Sequence, residues 1–221
     1  MAGVVEKSDA EVDAATVPLR GGRLCLDFAN TVDWHAGAQY GQEYLTTYAE
    51  LIAWGHHAGI LAEDEAHALL EAAASQPERA QAALDQAIAL REVIYRVFSA
   101  RAHGRPTDAG DLAALNAALV GAYAHLRLRA GEPRFFWAWE PDGAALDRML
   151  WPVARSAAEL LTADELARVR ECASDSCGWL FLDTSKNRSR RWCDMAGCGN
   201  RAKARRHYAR GRRASGPEAQ P

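Results

Sequence analysis

Four cysteines near the C-terminus have a spacing that suits metal binding. They are Cys172, Cys177, Cys193 and Cys198, in the pattern C-x4-C-x15-C-x4-C. Two short-spaced thiol pairs joined by a loop of this length can present four thiolates tetrahedrally to one metal ion. Because four thiolates leave no open position for water, we expect one structural Zn²⁺, and an iron–sulfur cluster is the alternative.

Basic residues are concentrated in the same part of the chain. Residues 185–213 contain eleven lysines and arginines and a single acid, Asp194, which gives a formal charge of +10. The rest of the chain has 15 basic and 28 acidic residues, a formal charge of −13. A separation of charge on this scale indicates a segment that binds polyanions, attached to an acidic body.

The basic residues fall in a loop and in a predicted helix. The loop covers residues 185–191, and the helix is predicted over residues 202–211 with Asn200 as its N-cap. The arginine side chain suits phosphate because its planar fork donates two parallel hydrogen bonds. The residues expected to contact nucleic acid are Lys186, Arg188, Arg190, Arg191, Arg201, Lys203, Arg205, Arg206, Arg210 and Arg213.

The rest of the chain is predicted to be mainly helical. Apolar residues recur with a helical period over residues 46–59, 62–75, 77–102, 108–123 and 144–161. Alternating residues around Gly131 predict a β-hairpin, whereas the segment 19–32 is compatible with helix or strand. The expected fold is α+β: a mainly helical N-terminal domain with a small β-hairpin or sheet, and a small C-terminal zinc-knuckle domain ending in a basic helix.

A cluster of polar residues interrupts the apolar segment near the N-terminus. Asp27, Asn30, Thr31 and His35 are candidates for a ligand pocket. The alternative is that Asn30 and Thr31 cap a helix and bond to buried backbone groups. The sequence contains no nucleophile elbow, phosphate loop or His-Glu-x-x-His pattern, so we do not expect an enzyme.

Two of these motifs carry a family resemblance. Cys198-Gly199-Asn200-Arg201, which follows a C-x4-C pair, resembles the CGNR zinc finger. The residues from Leu26 to Thr31, preceded by a glycine pair, resemble the start of the ABATE domain that accompanies this finger in bacteria. The resemblance implies a stress-induced bacterial transcription regulator, with a finger that binds DNA and a larger domain that senses a ligand. The predicted units are a flexible leader (1–17), an ABATE-like helical sensor domain (18–168), a CGNR-type zinc finger (169–213) and a disordered tail (214–221).

DNA is therefore the expected partner, with two alternatives from other classes. The same basic module would suit an RNA- or ribosome-associated protein, or a protein-interaction module that docks on an acidic partner. One short helix per chain predicts a homodimer for tight DNA binding, and a sensor domain implies a small-molecule effector. No apolar run approaches the roughly 18 residues of a membrane span, and the N-terminus lacks a signal sequence, so we expect a cytoplasmic protein.

Overall fold

The computed structural model describes residues 12–33, 41–141, 145–205 and 208. Its helices are α1 (Leu24–Ala29), α2 (Tyr48–His57), α3 (Glu63–Ser75), α4 (Pro77–Ala102), α5 (Ala109–Ala124) and α6 (Leu150–Leu161). Its strands form two antiparallel pairs, β1 (Leu126–Arg129) with β2 (Phe136–Trp139), and β3 (Val169–Glu171) with β4 (Leu180–Leu182). The mainly helical α+β fold predicted from the sequence is confirmed.

Local sequence signals set the ends of several helices. The Thr47 hydroxyl accepts a hydrogen bond from the Glu50 backbone N–H, and the Glu50 carboxylate accepts one from the Thr47 N–H, which is a capping box for α2. Pro77 begins α4, where its missing N–H costs nothing. The Asp108 side chain caps α5. The predicted helices match the observed ones within about two residues, except that α6 begins at Leu150 and not at 144, because Pro152 fits only the first turn of a helix.

Helix α4 is the centre of the body. It packs against the other five helices and against β3. Its buried face includes Ile94, Val97 and Phe98, and it continues into one core that also contains α1 and the four clustered cysteines. The segment that was compatible with helix or strand contains a short, mostly buried helix, α1.

The strand β4 joins the cysteine segment to the helical body. Leu182 donates its N–H to the Gly21 carbonyl at 2.8 Å, and the Trp179 indole donates to the Val32 carbonyl at 3.0 Å. The residues of β4 are buried. The zinc-finger segment thus shares its core with the body, although the sequence predicted a domain boundary at residue 168.

The ordered body begins earlier than the sequence suggested. Ala14 and Val17 are buried in the core, so the end of the predicted flexible leader is packed. The rest of that leader, residues 1–11, and the predicted tail lie outside the described residues. Among the helices of the described ranges, none is both long and apolar enough to cross a bilayer.

Candidate metal centre and nucleic-acid interface

The first cysteine pair lies on a turn that connects β3 to β4. The Cys172 N–H donates to the Trp179 carbonyl at 2.8 Å, and the Cys177 N–H donates to the Ser174 carbonyl at 3.1 Å. Gly178 follows with φ +76°, a left-handed conformation that favours glycine. The turn directs both thiol groups into the same buried space.

The four sulfur atoms have the separations of a tetrahedral zinc site. All lie within 4.8 Å of one another, and all four cysteines are buried. The Sγ atoms of Cys177 and Cys193 are 3.6 Å apart, and those of Cys193 and Cys198 are 3.8 Å apart. Four sulfurs at about 2.3 Å from one Zn²⁺ would be about 3.8 Å apart, whereas a disulfide needs about 2.05 Å. The cysteines therefore fit one Zn²⁺ ion.

The pKa values of the clustered cysteines also favour a bound cation. The hydrogen bonds among the thiol groups lower the pKa of Cys172 and raise the pKa of Cys177 and of Cys193, and burial raises the latter two further. Four thiolates cannot share a buried site without a compensating charge. A divalent cation would supply that charge and keep all four sulfurs deprotonated.

The last cysteine lies inside a helical turn that Asp194 caps. The Asp194 carboxylate accepts hydrogen bonds from the N–H groups of Gly197 (2.7 Å) and Ala196 (3.3 Å), at the start of a π-helical turn, Met195–Gly199. An α-helix continues over residues 200–205. The helical segment thus begins before Asn200, and the sequence prediction of Asn200 as its N-cap is wrong because Asp194 already fills that role.

Asp194 also links the metal segment to the N-terminal part of the chain. Its carboxylate lies 2.5 Å from the Arg20 guanidinium. Burial opposes ionisation of this carboxyl, but the two backbone N–H groups and Arg20 together lower its pKa. No local pattern predicted the contact between Arg20 and Asp194, because the two residues are far apart in the chain.

Most of the predicted nucleic-acid residues that the structure describes are exposed. These are Lys186, Arg188, Arg191, Arg201, Lys203 and Arg205. The Arg201 guanidinium also donates to Cys198 Sγ at 3.1 Å, and Arg205 lies 3.6 Å from the Asp175 carboxylate. Three more predicted contacts, Arg206, Arg210 and Arg213, lie outside the described residues.

Arg190 differs from its neighbours because its side chain is used within the fold. Its Nε donates to the Trp192 carbonyl at 2.9 Å, and its guanidinium also donates to the Cys193 carbonyl. The same guanidinium lies 4.4 Å from the centre of the Phe181 ring. Arg190 therefore holds the loop against β4, next to a metal ligand, and is not available as a surface cation.

The three predicted ligand-pocket residues that the structure describes do not line one cavity together. Asn30 and Thr31 are buried and bond to backbone carbonyl groups, as the alternative interpretation expected. Asp27 accepts a hydrogen bond from the Gly21 N–H at 2.6 Å, and His35 lies outside the described residues. Two other cavities are a groove of about 410 Å³ between α4, α5 and α6, and an open cavity of about 490 Å³ against three of the cysteines.

Comparison with known families gives two matches. Residues 22–164 match ABATE, described as "Putative stress-induced transcription regulator", and residues 168–211 match the CGNR zinc finger. No curated protein matches the chain. The two matched regions meet at the short 3-10 helix Asp164–Arg168, directly before β3.

Proposed function

The chain belongs to the ABATE family and carries a CGNR zinc finger, and we propose that it regulates transcription by binding DNA through the basic segment that the zinc site orders. The four cysteines of the finger form a single Zn²⁺ site. The family and the site support a zinc-binding regulator, and DNA binding is the step that we add. Because all four ligands come from the protein, the zinc is structural and cross-links the segment.

The position of the basic residues relative to the second cysteine pair carries the proposal. Arg191 lies two residues before Cys193, and Arg201 lies three residues after Cys198. The sulfur atoms of this pair are 3.8 Å apart, so the metal site holds the end of the basic loop beside the start of the basic helix. Positive charge that is fixed in one place attracts the phosphates of a nucleic acid more strongly than a dispersed chain would.

We assign phosphate contacts to the exposed members of this set. They are Lys186, Arg188, Arg191, Arg201, Lys203 and Arg205. Phosphate contacts place a protein on the duplex, and base contacts give it sequence preference, so a subset of these side chains would have to reach base edges. Arg206, Arg210 and Arg213, which lie outside the described residues, stay predicted contacts.

The two tryptophans of the finger do not favour single-stranded RNA. Proteins that recognise single-stranded RNA stack its bases on exposed aromatic side chains. Trp179 is buried and donates to a backbone carbonyl of the body, and Trp192 is half-buried, with Arg191 near its ring. These two tryptophans therefore offer little stacking surface.

Paired charge variants test the proposal. We expect Arg191→Ala with Lys203→Ala to weaken binding to duplex DNA and to lower the slope of log Kd against log salt by about 2, at roughly 0.9 per lost phosphate contact. The matched control is Arg79→Ala with Arg101→Ala, two exposed arginines on α4. Equal DNA affinity in both double variants, with zinc retained, would contradict the assigned interface.

A further inference from the structure

The hairpin β1–β2 exposes a group of large apolar side chains. Leu128 is 59% exposed, Phe135 67%, Phe136 53% and Trp137 56%. A two-stranded hairpin in water is only marginally stable by itself, and aromatic residues this exposed usually mark a contact surface. Leu128 and Trp137 share one face of the hairpin and Phe136 lies on the other, so exposed apolar side chains flank the strands on both faces.

The two outer edges of this hairpin differ in charge. On β1, Arg127 and Arg129 alternate with leucines. The Arg127 guanidinium donates to the Leu126 carbonyl at 3.1 Å, and Arg129 forms an ion pair with Glu140, the residue after β2. On β2 and the residue before it, the sequence Phe-Phe-Trp-Ala-Trp contains no charged side chain. Charged residues on an edge strand block pairing with another chain. The β1 edge is thus protected, and the β2 edge is not.

The register shows which backbone groups of β2 face outwards. Glu140 donates its N–H to the His125 carbonyl at 2.8 Å, so the pairs two residues further along, Arg127 with Ala138 and Arg129 with Phe136, also bond to each other. The N–H and C=O groups of Trp137 and Trp139 then point to the outer edge. Within the described ranges, no hydrogen bond occupies these outward groups.

We propose that the β2 edge pairs with β2 of a second copy of this chain, antiparallel and around a twofold axis near Trp137. Two identical strands related by a twofold axis pair only in the antiparallel sense, and the contact closes after two copies. The result is a four-stranded sheet with β2 and its copy in the middle and the protected β1 edges outside. Aromatic residues would then face aromatic residues across the new pair, which stabilises antiparallel strands.

Charge favours a second copy in this arrangement. Three strand spacings of about 4.8 Å place the arginines of one β1 roughly 14 Å from those of the other β1, so they do not repel strongly. Pairing through β1 would place the same arginines directly opposite each other. An uncharged β2 also offers nothing that would select a partner of opposite charge.

Two cross-strand neighbours provide a matched test. Trp137 and Leu128 lie opposite each other and are almost equally exposed, but only Trp137 has its outward backbone on the unprotected edge. In sedimentation velocity, we expect the wild-type chain to be a dimer, Trp137→Lys to be a monomer and Leu128→Lys to remain a dimer. A monomeric wild type, or two variants that behave alike, would overturn the proposal.

Hydrogen exchange provides a readout specific to the strand edge. The backbone N–H groups of Trp137 and Trp139 should be protected at high protein concentration and exchange faster after dilution. The Ala138 N–H, which lies in the β1–β2 ladder, should change less. Protection of Trp137 and Trp139 that does not depend on concentration would show that no second copy covers this edge.

Discussion

The side-chain amide of Asn30 forms two hydrogen bonds with the backbone of Leu180. Its Nδ2 donates to the Leu180 carbonyl at 2.9 Å, and its Oδ1 accepts the Leu180 N–H at 2.8 Å. Asn30 caps the end of α1, and Leu180 lies in β4, between the two cysteine pairs. The Asn30 side chain thus bonds β4 as a neighbouring strand would, and it connects α1 to the zinc finger.

Removal of this amide should destabilise the whole chain. Asn30→Ala leaves a buried N–H and a buried C=O of Leu180 without partners, and each such group costs about 1–3 kcal/mol. We expect urea denaturation to show a loss of roughly 2–6 kcal/mol in the free energy of unfolding. Asn116→Ala, on the exposed face of α5, is the control and should change stability by less than about 0.5 kcal/mol. Similar losses in both variants would show that the Asn30 contact contributes little.

Loss of the metal should affect the body as well as the finger. Cys193→Ser should reduce zinc from one ion per chain to none, and because the core is shared, thermal melting of the α-helices should shift to lower temperature. Metal analysis and far-ultraviolet circular dichroism measure the two effects. Cys25→Ser alters a buried thiol outside the cluster and should keep its zinc. An unchanged helical melting temperature in Cys193→Ser would show that the finger folds independently.

Arg190 and Arg191 should differ although they are neighbours. Arg190→Ala removes hydrogen bonds to two carbonyls and a contact with Phe181, so we expect weaker zinc retention in competition with a chelator. Arg191→Ala removes an exposed side chain, so DNA affinity should fall while zinc retention stays at the wild-type level. If zinc retention falls equally in the two variants, Arg190 has no special structural role.

Asp27 should make folding stability depend on pH. Burial raises the pKa of this carboxyl from about 3.8 to about 6, against the opposing effects of the Gly21 N–H and of His57. The folded state therefore binds this proton more tightly than the unfolded state does. The resulting contribution to the free energy of unfolding is fully present below pH 4 and is lost as the pH rises through 6. Between pH 4 and 7, the free energy of unfolding of the wild type should fall by up to about 3 kcal/mol relative to that of Asp27→Asn. A difference between the two that is constant with pH would contradict the raised pKa.

The cysteine spacing and the helical periods were sufficient to predict the metal site and the mainly helical fold. Both rest on local patterns, since short thiol pairs and apolar stripes are readable within a few residues. The connection between finger and body was not predictable, because it depends on residues far apart in the chain, such as Asn30 with Leu180 and Arg20 with Asp194. The role of Arg190 was not predictable either. Its charge placed it among the predicted nucleic-acid contacts, whereas its side chain forms contacts within the fold.

Salt dependence of DNA binding tests the central claim most directly. Fluorescence anisotropy of a labelled duplex, titrated with the zinc-loaded chain at several salt concentrations, gives log Kd against log salt. Six exposed basic residues on the described part of the finger predict a steep slope, up to roughly 5 if each meets a phosphate. No binding at low salt, or an affinity that does not change between about 50 and 200 mM salt, would contradict a DNA-binding finger.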